Sequence, residues 1–229
     1  MKRRTIVILC SGAALVALAV VALIVLRLVF FVPFKQPSSS MYPLSVPGSV
    51  IFATRADKTP AYGVVMVFHY PERPEQDFDK RVVGLSGDKI ETRGPVLVVN
   101  GWDVPRCTVG KHAYDDMETL PPHHEGTLDV EWLGDETYLV FHEAGRGPSD
   151  FGPFTLKNGE YFVLGDNREN SHDSRMWFGG AGGGVPEENT VGRVRTGKIA
   201  LPRGAESLRS ALDACLAKKP AKTTPPSHP

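Results

Sequence analysis

The chain opens on one unbroken apolar run and then changes character. After Lys2-Arg3-Arg4, the residues from Thr5 to Leu26 are uncharged and mostly apolar over 22 positions. A helix of that length reaches about 33 Å at about 1.5 Å per residue, enough to cross a bilayer core. Its basic end stays cytoplasmic by the positive-inside rule, and the remainder of the chain lies outside. A cleaved signal peptide is the rival reading. Signal h-regions, however, run about 7 to 15 residues and end in small side chains, whereas this stretch continues into Leu28-Val29-Phe30-Phe31-Val32-Pro33. Length therefore favours an uncleaved anchor over residues 5–32, with residues 1–4 in the cytoplasm. Arg27 sits near the outer end, where it can snorkel to the interface. Cys10 is no lipoprotein site, because most of the apolar run lies after it.

Beyond the anchor the pattern shortens. Apolar runs at Ser49–Ala53, Val64–Phe68, Arg81–Leu85, Pro95–Val99, Thr137–Phe141 and Glu160–Leu164 are rich in β-branched and aromatic residues and separated by turn residues. That is strand length and strand composition. Asn100-Gly101 is a hairpin-turn pair. Helical periodicity is lacking here. The expected fold class is mainly β, with folded antiparallel sheets or a barrel-like domain over residues 34–202, plus one N-terminal transmembrane helix. Residues 203–229 read as a short amphipathic helix, with Leu208, Leu212 and Leu216 at helical spacing, then a disordered tail rich in Pro, Thr and Lys.

Composition narrows the classes. Gly and Pro supply 23 and 19 of 229 residues, which favours a loop-rich β protein over a helical bundle. The net charge is zero, so no basic surface awaits a nucleic acid. Cys10, Cys107 and Cys215 form neither a zinc motif nor a disulfide framework. Cys107 and Cys215 could pair only if both lie outside the cytoplasm, and nothing in their spacing calls for it. The seven His are scattered, and His123-His124 come after Pro121-Pro122 in an expected loop. No metal or cofactor is expected.

Three clusters carry candidate chemistry: Gln36-Pro37-Ser38-Ser39-Ser40-Met41-Tyr42-Pro43, Asp79-Lys80-Arg81 running to Gly87-Asp88, and Gly165-Asp166-Asn167 running to Asp173-Ser174-Arg175. Each alone reads as a linker, a solvated lysine or a turn, since Gly, Asn, Asp and Ser dominate turns generally. Together and in this order they resemble the type I signal peptidases, membrane-bound Ser-Lys serine peptidases that remove signal peptides from exported proteins. Ser40-Met41-Tyr42-Pro43 is similar to the family's nucleophile box, Lys80-Arg81 with Gly84–Asp88 to its general-base box, and Gly165–Arg175 to its third box. Val185-Pro186-Glu187 and Val191-Gly192-Arg193 are similar to the family's next segment.

The resemblance implies Ser40 as nucleophile and Lys80 as general base. It implies Ser171 as the residue that hydrogen-bonds and orients Lys80, and an oxyanion hole from the Ser40 N–H and the Ser38 hydroxyl. Arg81, Asp166, Asp173 and Arg175 would be structural supports. A peptide would lie as a strand beside Phe34, Gln36 and Pro37 on one side and Phe78 and Asp79 on the other, with small residues at its −1 and −3 positions. The implied partners are preprotein signal peptides and the lipid bilayer. The implied location is the bacterial cytoplasmic (inner) membrane, single-pass, with the catalytic domain extracytoplasmic. The chain departs from the family pattern at Ser86, Val64 and Leu44, and carries an unusual Gly179–Gly184 run.

The residues themselves agree with this chemistry. A serine hydroxyl is a weak nucleophile until a base takes its proton. A lysine serves as that base only when neutral, and burial lowers its pKa from about 10.4. Lys80 precedes the apolar Val82-Val83, a desolvating setting. Two other readings stand beside this one. The self-cleaving repressors share a Ser-Lys core but need a DNA-binding head where this chain has its apolar run. A catalytically inactive, membrane-tethered β domain that only binds peptides would tolerate loss of Ser40 or Lys80, and both are present.

Overall fold

The computed structural model describes residues 16–24, 30–116, 123–146 and 150–227. Residues 1–4, Cys10, Arg27 and most of the expected anchor lie outside them. Within the anchor range, residues 16–24 are helical, and no helix among the described residues is long and apolar enough to cross a membrane.

Fourteen strands form the framework of the remaining described chain: β1 (Phe31–Lys35), β2 (Val50–Thr54), β3 (Val65–Tyr70), β4 (Arg73–Gly84), β5 (Lys89–Arg93), β6 (Val96–Val99), β7 (Trp102–Asp103), β8 (Arg106–Asp115), β9 (His123–Leu133), β10 (Glu136–Glu143), β11 (Phe151–Thr155), β12 (Glu160–Leu164), β13 (Val185–Pro186) and β14 (Thr190–Val194). They form three open antiparallel sheets, in the orders β1-β2-β14-β3-β4-β12-β13, β10-β9-β8 and β11-β5-β6-β7. The fold is thus mainly β as expected. The barrel-like closure is not found among the described residues, because each sheet keeps two edge strands. Phe31 and Val32, assigned on the sequence to the anchor, pair in β1 with Thr54 and Ala53.

The connection after β1 leads across the large sheet. β1 and β4 are four strand steps apart, about 19 Å if the sheet were flat. The chain leaves β1 at Lys35 and reaches Ser40 within five residues, an extended span of about 17 Å at most. Residues 40–44 are already in a turn. Ser40 nevertheless touches Lys80 of β4, so the chain leaving β1 crosses towards the fifth strand of that sheet.

The C-terminal region packs back onto the β strands. The helix is present as Arg209–Leu216, with Leu212 and Cys215 buried. The tail beyond it is described as far as residue 227 and meets two hairpin turns. Thr223 exchanges bonds with Gly134 in the β9–β10 turn, its O accepting from the Gly134 N–H (2.8 Å) and its Oγ donating to the Gly134 O (2.7 Å). The Asn100 side chain donates to the Pro226 carbonyl at 2.7 Å. These partners sit at hairpin turns, which a Pro/Thr-rich segment satisfies without forming a strand. Cys107 and Cys215 are joined in a disulfide across 108 residues. Strand β8 and the helix bring them together, a juxtaposition invisible in their spacing. His123-His124, expected in a loop, begin β9.

Candidate active site

The nucleophile-box turn is held from both sides. Met41 is fully buried among Ala53, Val65, Val67 and Val194, beneath the large sheet. Tyr42 enters a different cluster, with Leu128, Phe141 and Leu212. Consecutive side chains driven into separate cores leave the turn little freedom to rotate. The Tyr42 N–H closes it onto the Ser39 carbonyl at 2.9 Å.

Lys80 lies on β4 opposite Met66 of β3. Its Nζ is 2.9 Å from Ser40 Oγ and donates to the Asp79 carbonyl at 2.8 Å. The Phe78 ring lies 5.3 Å from the same nitrogen. Lys80 is only 4% exposed. Burial lowers its pKa below the ordinary lysine value, against the opposing pull of Asp79, Asp173 and Asp166. A hydroxyl and a desolvated amine at this distance can perform base-assisted nucleophilic attack. Ser38 Oγ is 3.1 Å from Ser40 Oγ, and the Ser40 N–H points at Ser38 Oγ over a long 3.5 Å. At that length the N–H is weakly engaged and open to a better acceptor.

The third box forms the floor. Gly165 has no room for a side chain: a Cβ would stand 2.2 Å from Ser171 Oγ and 2.5 Å from the Ser40 carbonyl. The Asn167 N–H donates to that carbonyl at 3.1 Å. Arg81 grips Asp166 through Nε (2.6 Å) and Nη2 (2.5 Å), and both are buried. Arg175 grips Asp173 through Nε and Nη2, each at 2.9 Å. Burial alone would raise Asp173, but Arg175, the Gly165 N–H and the Ser171 hydroxyl outweigh it and hold the carboxyl below its ordinary range. The buried Ser171 hydroxyl makes no hydrogen bond to Lys80, unlike the contact the resemblance implied. Arg81, Asp166, Asp173, Arg175, Ser38, Ser40, Lys80 and Ser171 thus occupy one region.

The expected peptide-binding residues fall in two places. Phe34 pairs with Ile51 in β1. The Gln36 N–H and carbonyl are bonded inward to Ser49 and Gly48, which leaves Pro37 exposed. On β4, Asp77, Phe78, Asp79 and Lys80 pair with β3 on one side, while β12 pairs with β4 only from Arg81 onward. Among the described residues, then, the other edge of β4 beside Lys80 carries no strand.

Four residues around the turn escaped the sequence reading of the site. Tyr42, Tyr114, Asn167 and Asn170 form a support under Ser39 and Ser40. Asn170 Nδ2 donates to Ser39 Oγ at 3.0 Å, and Asn167 Nδ2 donates to the Tyr114 hydroxyl at 2.8 Å and to the Ser39 carbonyl at 3.3 Å. The two asparagines were visible inside the third box. Tyr114 had no local signal. Among the described residues, no group of three or more His, Cys, Asp or Glu is arranged to hold a metal ion.

Comparison with known proteins places this arrangement. Residues 9–197 match the family described as signal peptidase, peptidase S26. The chain belongs to that family. It is 35% identical over 197 residues to the signal peptidase I of Pseudomonas aeruginosa and 34% identical over 199 residues to that of Pseudomonas fluorescens, in each case across 75% of this chain and 66% of the relative. The chain therefore spans just under two thirds of those two proteins. The signal peptidase I of Rickettsia akari is 27% identical over 202 residues, covering 75% of this chain and 73% of the relative. Among solved structures, a signal peptidase I from Enterococcus faecalis aligns with a TM-score of 0.35 at 24% identity, over 60% of this chain and 97% of that one.

Proposed function

We propose that this chain is a membrane-bound serine endopeptidase that removes N-terminal signal peptides from exported preproteins. The observation that carries the reading is Ser40 Oγ at 2.9 Å from the Nζ of a buried lysine with a lowered pKa. An unperturbed lysine at pH 7 is neutral in about one molecule in 2,500, from a pKa of about 10.4. Each unit by which burial lowers that pKa multiplies the basic fraction tenfold.

Ser40 Oγ attacks the scissile carbonyl while Lys80 takes its proton. The oxyanion is met by the Ser40 N–H and by the Ser38 hydroxyl once it rotates away from Ser40 Oγ. Lys80 returns the proton to the leaving amine, an acyl-enzyme remains on Ser40, and a water deprotonated by Lys80 releases the signal peptide. Ser171 packs against Gly165 in the floor beneath the dyad. The peptide adds as a strand to the open edge of β4 at Phe78 and Asp79, facing Phe34 to Pro37, and presents small side chains. Its anchor is the N-terminal apolar segment. Support comes from residues 16–24, where Val16, Leu18, Val21, Leu23 and Ile24 are each more than half exposed, so the helix is apolar all round, a surface that water does not favour.

The test is cleavage of a preprotein with an Ala-x-Ala site in detergent. Ser40→Ala and Lys80→Ala each abolish it. Undiminished cleavage by either variant removes that residue from the mechanism. Tight peptide binding without cleavage by the unaltered chain supports the inactive peptide-binding domain instead.

A further inference from the structure

Strand β8 carries no motif of the peptidase reading, yet it reaches the nucleophile turn. Tyr114 stacks on Tyr42, two residues after Ser40, with ring centroids 3.7 Å apart and planes 16° from parallel. Its hydroxyl accepts from the Asn167 amide at 2.8 Å. Asn167 in turn holds both the Ser39 and the Ser40 carbonyls. On the far side of Tyr42, His112 of the same strand places Nε2 2.6 Å from the Tyr42 hydroxyl. Burial lowers His112 below its ordinary range against the pull of Glu206, so this contact joins a neutral ring to a neutral phenol. One strand therefore fixes the turn through a ring stack, through a hydroxyl that holds Asn167, and through a histidine that stops Tyr42 from sliding along the stack.

We propose that Tyr114 is a positioning residue for Ser40, with His112 as its partner, and that it acts on the distance between Ser40 Oγ and Lys80 Nζ and not on substrate affinity. This inference rests on the peptidase reading. Tyr114 touches neither reacting group, so it works through Ser39, Asn167 and Tyr42. Its effect belongs to the chemical step, which is sensitive to sub-ångström displacement of a nucleophile.

The experiment uses the full chain in detergent with an Ala-x-Ala peptide. Tyr114→Phe keeps the stack and removes only the hydroxyl. The expected result is a fall in kcat of about tenfold, with KM changed by less than about twofold and thermal unfolding little altered. This matches the loss of about one hydrogen bond from the transition-state geometry. Asn167→Ala and the double variant complete a cycle: if Tyr114 works through Asn167, the double variant is no slower than Asn167→Ala alone. Full kcat in Tyr114→Phe overturns the proposal. So does a loss confined to KM, or losses that multiply in the double variant. Should Tyr114→Phe fail to fold, Tyr42→Phe decides, since it keeps both rings and breaks only the contact with His112. A kcat lowered about threefold supports the proposal and an unchanged kcat overturns it. Ser40→Ala run in parallel separates the two levels, because cleavage surviving that substitution defeats the peptidase reading itself.

Discussion

Replacing both cysteines of the 107–215 pair by alanine should cost the protein several kcal/mol. The bond closes a loop of 108 residues. The chain-entropy relation gives about 2.1 plus 1.5R ln 108, or about 16 cal/mol/K, which is about 4.8 kcal/mol at 25 °C. Compact denatured chains reduce that figure, so about 2 to 5 kcal/mol is expected. The assay is urea unfolding of the full chain in detergent, monitored by tryptophan fluorescence, with and without reductant. With an m-value of about 2 kcal/mol/M, the midpoint should fall by about 1 to 2.5 M. Reductant should produce the same fall in the unaltered chain and none in the double variant. A fall below about 0.5 M, with m unchanged, would refute the claim that this bond restrains the unfolded ensemble, leaving the helix held by Leu212 and its neighbours alone.

Two further outcomes come from the site. Burial lowers Lys80 below its ordinary pKa, so kcat should rise with pH through that lowered value as the amine loses its proton. Between the folded pKa and about 10.4 the unfolded chain holds the extra proton, so stability also rises with pH across that window. Lys80→Met should therefore be more stable than the unaltered chain at neutral pH, with the gap closing towards about pH 10.4, and a gap independent of pH would count against a depressed Lys80. Gly165→Ala places a methyl group 2.5 Å from the Ser40 carbonyl and 2.2 Å from Ser171 Oγ, and the backbone oxygen cannot step aside cheaply. Single-turnover cleavage should slow by about a hundredfold or more, and a variant keeping half its rate would show that the floor is softer than its contacts imply.

What could be read from the sequence depended on whether burial obeyed a simple period. The six runs that announced themselves contribute to β2, β3, β4, β6, β10 and β12, and all but β2 bury Val, Ile, Leu or Phe. Asn100-Gly101 is a hairpin turn with both residues at positive φ, 53° and 75°. Strand β8 was missed because its alternation breaks in the middle. Val109 is buried, a register shift falls between Thr108 and Gly110, and the next buried position is His112. A bulge of this kind moves every later side chain to the opposite face. Strand β9 was missed because Asp129 and Glu131 occupy its core. Charges there read as surface until Arg106 and Arg168 are found against them, at 2.5 Å in each case. The motifs named Ser38, Ser40, Lys80 and the third box, which the fold brings into one region. Tyr114 and His112 were hidden because their importance arises only when β8 folds back onto a turn some seventy residues earlier.

The ion pairs beneath the site have one further consequence. Arg81 with Asp166, and Arg168 with Glu131, expose between 1% and 4% of their side chains. Dissolved ions screen charges that face water and barely reach charges that do not. The floor under Ser40 and Lys80 is therefore indifferent to the salt content of its surroundings, whereas the surface pair between Arg93 and Asp103, more than half exposed on both sides, is open to any change in ionic strength.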